Sequence, residues 1–257
     1  MNTTPAPSPV TRREYLGYAF GDTASCLYFQ TFSTFLLIFY TDTFGLAPAV
    51  VSTMFLVTRS WDAVTDPIMG MIADRTETRH GKFRPWILWG IIPFMFTGVL
   101  VFITPDLPAQ GKTVYAYVTY SLVMLAYTMV NVPYGALLGV ISPKSEERTM
   151  LASSRFVGAF VGNIFVLGTL LYLVRWFGRG NDRLGYPLAI AVLAVLAGIL
   201  FFITFNSTRE RIRPPPTSGA IGRDLGDLLR NRPWLVLSLA ALITLICLSV
   251  RNGAMLY

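Results

Sequence analysis

Charge is what this 257-residue chain has least of: Asp, Glu, Lys and Arg make up only 14% of it, where soluble domains carry about a quarter. Cysteine is down to Cys26 and Cys247, far apart and each inside an apolar block, and histidine to His80 alone. That excludes a disulfide framework and a zinc site, since neither the ligands nor their spacing are present. There is no Ser/His/Asp set of the kind hydrolysis needs and no G-x-x-x-x-G-K-[ST] loop to cradle a nucleotide, so neither an enzyme nor an ATP-driven machine is expected. The opening MNTTPAPSPVTRR lacks the apolar core of a signal peptide. It reads as a short cytoplasmic tail over residues 1–14.

What fills the chain instead is apolar: 53% hydrophobic and 14% aromatic, with a mean hydropathy of +0.53. The apolar residues form long blocks, several of them reaching the roughly 20 residues a helix needs to cross a bilayer. An all-α membrane protein is expected, with spans near 15–41, 49–73, 85–104, 113–142, 151–174, 185–207 and 233–257. The formal net charge of +7 invites a nucleic-acid reading, but the basic residues sort by loop. Fourteen, from Arg12 and Arg13 through Arg75, Arg79, Lys144 and Arg148 to Arg232, fall in the tail and the even-numbered loops; four, Lys112, Arg175, Arg179 and Arg183, fall in the odd ones. This positive-inside bias places the N-terminus in the cytoplasm and makes a polyanionic partner unnecessary.

Three prolines and a TSGA stretch after Arg213 cannot continue a helix. They set a six-span bundle, 15–207, apart from a central cytoplasmic loop, 208–232. Within that loop Ile221, Leu225, Leu228 and Leu229 recur at helical spacing, which suits a short amphipathic helix at the inner surface or an ordinary polar linker. The last block, 233–257, reads as a truncated seventh span.

The second span carries the most informative stretch, SWDAVTDP (60–67). At 100° per residue, Arg59, Asp62 and Asp66 fall within about 60° of one another, and Ser52 and Gly70 share that face. A charge near the bilayer centre costs roughly 2.5–3.5 kcal/mol on insertion scales, so three on one stripe require compensation. An internal Arg59–Asp62 pair, three residues apart, accounts for one carboxylate and leaves Asp66. Two acids a turn apart repel unless a cation or proton lies between them. The stripe is therefore either a structural ion pair or a cation or proton site, and hard oxygens suit Na+ and Li+ as well as H+.

FYTDTFGL (39–46), TMFLVTRSWDAVTDPIMGMIADRTETRHGKFRPWIL (53–88), YTMVNVPYGAL (127–137) and VRNGAM (250–255) resemble the glycoside–pentoside–hexuronide:cation symporters, a branch of the major facilitator superfamily that includes the melibiose carrier. The resemblance implies a major facilitator type six-helix bundle plus part of a seventh transmembrane helix, the N-terminal half of a carrier in an inner, plasma-type membrane. It implies a sugar moved with Na+, Li+ or H+ and no other cofactor. Its partners would be a glycoside or hexuronide, the lipid bilayer and a missing C-terminal half. Asp62 and Asp66 inherit the role of cation ligands, assisted by Thr128 on the fourth span. A non-transporting half that only binds sugar is the alternative.

For the sugar, the resemblance points to Asp22, Cys26 and Gln30 on the first span, Tyr127 and Asn131 on the fourth and Arg155 on the fifth. Asn131 stands where the melibiose pattern has a carboxylate, so a galactoside gripped by paired acids is not expected, and Arg155 would tolerate a uronide. Asp22 has a second reading, as the partner of a basic residue near the membrane end. Gly70, Asp74, Arg75, Lys82 and Arg84 match the superfamily's charged loop between spans two and three, which implies a conformational latch. Gly135 with Gly139, and Gly158 with Gly162, are small-xxx-small pairs that predict close helix contacts.

Overall fold

Every long apolar block between residues 8 and 212 becomes a helix in the computed structural model, which describes those residues and scattered positions between 230 and 247. The helices are α1 (Arg12–Ile38), α2 (Pro48–Arg75), α3 (Arg84–Val101), α4 (Ala109–Ile141), α5 (Ser145–Gly178) and α6 (Asp182–Ser207). α1 widens at its far end into a π turn, Phe39–Thr43. Apart from α2, each is long and apolar enough to cross a membrane. α2 has the length, 28 residues, but the charges of its central stripe interrupt its apolar character. The predicted amphipathic helix at 221–229 and much of the predicted seventh span lie outside the described residues. Residues Pro215–Tyr257 form a unit of their own, helical at most of its described positions.

Within Met1–Pro214, α1 packs along α5 and α6, and α3 along α4 and α6, whereas α2 leans chiefly on α4. The α1–α5 seam is tight because Gly158 and Gly162 face it. A methyl group on Gly158 would collide with the Ala19 carbonyl, and Thr23 uses the closeness to donate its hydroxyl to Gly158 O at 3.0 Å. That is the contact predicted for this glycine pair. Gly135 and Gly139 differ: nothing lies within 4 Å of where their Cβ atoms would be, so no described helix packs against them.

One end of the bundle is tied together by the residues that follow α6. The Glu210 carboxylate accepts from the backbone N–H groups of Lys82 (2.8 Å), Phe83 (2.8 Å) and Arg84 (3.0 Å), satisfying the free donors at the start of α3. It can reach them because Gly81 sits at φ +107° and has no side chain where the carboxylate lies. Arg211 and Ile212 donate their N–H groups to Val140 O at the end of α4, and the Arg211 guanidinium forks onto Glu14 at 2.7 and 2.9 Å. Those bonds raise the Arg211 pKa above its ordinary value. Glu14 in turn closes a capping box with Thr11 at the start of α1. The first residues of the expected central loop thus bind the ends of α1, α3 and α4, which places the tail, the α2–α3 loop and the α6 exit at one end, as an up-and-down bundle requires.

Candidate cation and sugar site

α2 presents its buried residues, Val51, Met54, Thr58, Thr65, Met69 and Ala73, at helical spacing toward the bundle. That register leaves Asp66 exposed and Asp62 part-buried on an adjoining face. Asp66 is tied across to α4: the Thr128 hydroxyl donates to its Oδ1 at 2.7 Å. Asp62 is treated differently. Its Oδ2 meets Arg59 only at 4.0 Å, with the arginine side chain 60% exposed, and its Oδ1 is buried with no hydrogen-bond partner. The structural ion pair is therefore loose, and it leaves an acceptor unused. Pro67 adds a second local acceptor, since it lacks the N–H that would have bonded the Ala63 carbonyl one turn back.

Asp22 and Arg155 come together from α1 and α5, with Arg155 Nη2 donating to Asp22 Oδ1 at 3.1 Å. The guanidinium lies over the Tyr134 ring, 4.8 Å from its centroid, with Tyr18 beside it. The two tyrosines brace each other: Tyr134 donates its hydroxyl to Tyr18 O at 2.6 Å, and Tyr18 donates to Tyr134 O at 3.2 Å. Neither tyrosine was identified from sequence, although Tyr18 stands one helical turn before Asp22. Cys26 packs against Gly162. Gln30 donates to Thr34 on its own helix at 2.7 Å. Asn131 is half-buried on α4, and no described residue bonds its side chain. Tyr127 faces Phe94 of α3, with ring centroids 6.3 Å apart. It also lines a cleft of about 290 Å³ between α1, α2 and α4, into which Arg59 opens.

Of the residues expected to form a latch, Lys82 and Arg84 are engaged inside the bundle. Their N–H groups hold Glu210, and Arg84 donates through Nε and Nη2 to Phe205 O at 3.2 and 2.6 Å. Asp74 and Arg75 stand exposed, and a methyl group added at Gly70 would meet only Val132, at an ordinary 3.8 Å. Glu210 itself went unread in the sequence; its signal is a lone acid between two arginines, paired with the glycine of HGKF.

A family model described as MFS/sugar transport protein matches residues 17–257. The chain belongs to that family. It is a family of transporters, not enzymes, and the chain is an all-α membrane protein of the major facilitator type. The inner membrane symporter YicJ of Escherichia coli is 43% identical over 95% of this chain and 53% of its own length. The putative glycoside/cation symporter YagG of the same organism is 44% identical over 96% of this chain and 54% of its own. The isoprimeverose transporter of Lactiplantibacillus pentosus is 36% identical over 95% and 52%. These relatives agree with the symporter resemblance read from the motifs, and the chain spans about half their length. Among solved structures, a peptide transporter POT bound to sulfate superposes with a TM-score of 0.61 at 15% identity, over 96% of this chain and 49% of that one. At that identity it speaks for the fold alone.

Proposed function

We propose that the chain forms the sugar- and cation-binding bundle of a glycoside:cation symporter in an inner, plasma-type membrane, with Na+, Li+ or H+ carried at Asp62, Asp66 and Thr128. One observation carries the reading. Asp66 is fastened across two helices to Thr128 while Asp62, one turn away, keeps a buried oxygen with no hydrogen-bond partner among the described residues. Such a pair is positioned without being neutralised, and a mobile cation or proton would relieve it. Among the described residues no cluster of three or more His, Cys, Asp or Glu could hold a metal. Two carboxylates with hydroxyl and carbonyl oxygens suit an alkali ion or a proton. The names of relatives, an inner membrane symporter and a putative glycoside/cation symporter, support the same reading.

The sugar is assigned to Asp22, Cys26, Gln30, Tyr127, Asn131 and Arg155. Arg155 is already paired, so a uronide would have to displace Asp22, whereas the hydroxyls of a neutral glycoside can bridge carboxylate and guanidinium as they stand. Neutral glycosides are therefore the preferred class. Coupling follows from linkage: ion and sugar each raise the other's affinity by the same factor.

Topology and domains keep the sequence-based form: a tail over 1–14 and a six-span bundle over 15–207, then a cytoplasmic loop over 208–232 and a seventh span from 233. The N-terminus is cytoplasmic, which the fourteen-to-four distribution of basic residues supports. Alternating access needs a second bundle for this one to rock against. In the latch, Lys82 and Arg84 anchor the loop within this bundle, leaving Asp74 and Arg75 to meet the second.

The test is counterflow of labelled glycosides in vesicles carrying the protein, with and without Na+ or Li+. Cation stimulation that disappears in Asp66→Asn is the expected result, and stimulation that survives it overturns the assignment. Saccharide binding without counterflow would make the chain a binding half that does not turn over.

A further inference from the structure

We propose that the outer side of the seam between α3 and α6 seats an anionic phospholipid, its phosphate at Arg79, His80 and Arg209 and an acyl chain along the two helices. Such a seat requires only that the bundle lie in a bilayer, and it is independent of the cation and sugar assignments. Met95 and Ile91 of α3 lie against Gly198 of α6 and make the seam. α1 fills one side of it, with Tyr28 beside Gly98 of α3 and Gly17 O bonded by Thr204 of α6. At 100° per residue, Trp89, Ile92 and Phe96 of α3 and Val195, Ile199 and Phe202 of α6 turn to the other side. All six are exposed, which leaves an apolar band facing outward.

At the end of that band the chain builds a basic rim. Thr78 donates its hydroxyl to Gly81 O at 2.8 Å and accepts from the His80 N–H at 3.1 Å, closing a tight turn with Arg79 and His80 at its tip. The turn is pinned over the end of α6. The His80 ring lies 5.7 Å from that of Phe205, and Arg84, which donates to His80 O at 3.3 Å, lies over the same phenyl ring at 4.8 Å and bonds Phe205 O. Arg209 follows four residues after Phe205 and stands exposed. The neighbouring acid cannot neutralise this rim, because Glu210 is spent on the backbone N–H groups of Lys82, Phe83 and Arg84. Among the described residues Arg79 and Arg209 form no ion pair. Positive-inside charge explains why these residues are basic, but not why their turn is fastened to α6 above an exposed apolar band. A cationic rim over such a band complements a phospholipid, anionic at its head and apolar below, and Trp89 suits the boundary between the two.

The experiment places the chain in phosphatidylcholine nanodiscs containing small amounts of phosphatidylglycerol or phosphatidylcholine brominated in the acyl chain. Quenching of Trp89 is read as the difference between the parent and Trp89→Phe. An arginine near the surface is worth about fivefold in affinity for an anionic lipid, so phosphatidylglycerol should quench at a mole fraction roughly 25-fold lower than phosphatidylcholine does. Arg79→Gln and Arg209→Gln should each reduce that preference about fivefold. Both arginines are exposed and unpaired, so neither substitution takes an ion pair from the fold. Arg12→Gln is the control: Arg12 is exposed at the same end of the bundle but turned about 140° from the Gly17 contact with α6, and its loss should change nothing. Equal quenching by the two brominated lipids would overturn the seat. A loss in Arg12→Gln as large as that in Arg209→Gln would overturn it too, since diffuse surface charge would then account for the preference.

Discussion

Two charged clusters lie within this bundle and are built in opposite ways. Asp22 and Arg155 are closed on each other at 3.1 Å, with the guanidinium laid on Tyr134 and the tyrosines locked by reciprocal hydrogen bonds between α1 and α4. Asp62 and Asp66 have no such counter-charge: one leans on a threonine, the other on an arginine 4.0 Å away whose side chain is mostly exposed. Both clusters use the same residue types in the same apolar surroundings. What separates them is whether packing fixes the positive partner. A fixed partner makes a permanent part of the fold, able to grip hydroxyls; a missing one leaves charge that a travelling ion can cancel.

The sharpest way to break this contrast is to remove each arginine in turn. Arg155→Ala strands the part-buried Asp22, whose side chain is 15% exposed, and should cost about 2 kcal/mol, the scale for leaving a hydrogen-bonded group without its partner. Arg59→Ala removes only a long, exposed contact and should cost less than about 0.5 kcal/mol. Thermal unfolding in detergent compares them, and equal losses would erase the distinction between a closed and an open cluster. Next in size is Asp62→Asn. The neutral amide should be tolerated or slightly stabilising, while the rise in Tm that Na+ or Li+ produces in the parent should vanish. A cation-dependent rise that persists would remove Asp62 from the ion site.

The open cluster was legible in the sequence because its signal is local. Two acids at one helical turn inside an apolar block are unusual wherever they fold, and the helix period alone puts them on one face. The closed cluster was only half legible. Asp22 and Arg155 were each named, yet their pairing joins positions 133 residues apart, and no periodicity reports a contact of that range. The Tyr18–Tyr134 brace and the Glu210 cap were missed for the same reason: each depends on which helix ends meet. Helix extents came through well because bilayer-length apolar blocks punctuated by Pro and Gly leave few alternatives. α1 was expected over 15–41 and runs Arg12–Ile38 before its π turn. Gly135 and Gly139 show the opposite failure, since small-residue spacing predicts a close contact without saying which partner supplies it.

A milder test than the loss of either acid addresses the hydrogen bond that joins Asp66 to α4. Thr128 is buried and its hydroxyl reaches Asp66 Oδ1 at 2.7 Å, a contact that orients the carboxylate without neutralising it. Thr128→Val keeps the shape and removes the donor. Because Asp66 is exposed, water can take the donor's place, so the loss should be near the 1 kcal/mol of an ordinary hydrogen bond. That corresponds to about fivefold weaker apparent cation affinity, read from the Na+ or Li+ dependence of sugar counterflow. Sugar affinity without cation should stay where it was, and Thr128→Ser should restore most of the loss. If the valine variant instead weakened sugar binding with no ion present, Thr128 would belong to the sugar's side of the molecule, and orientation of Asp66 would have to come from α2 alone.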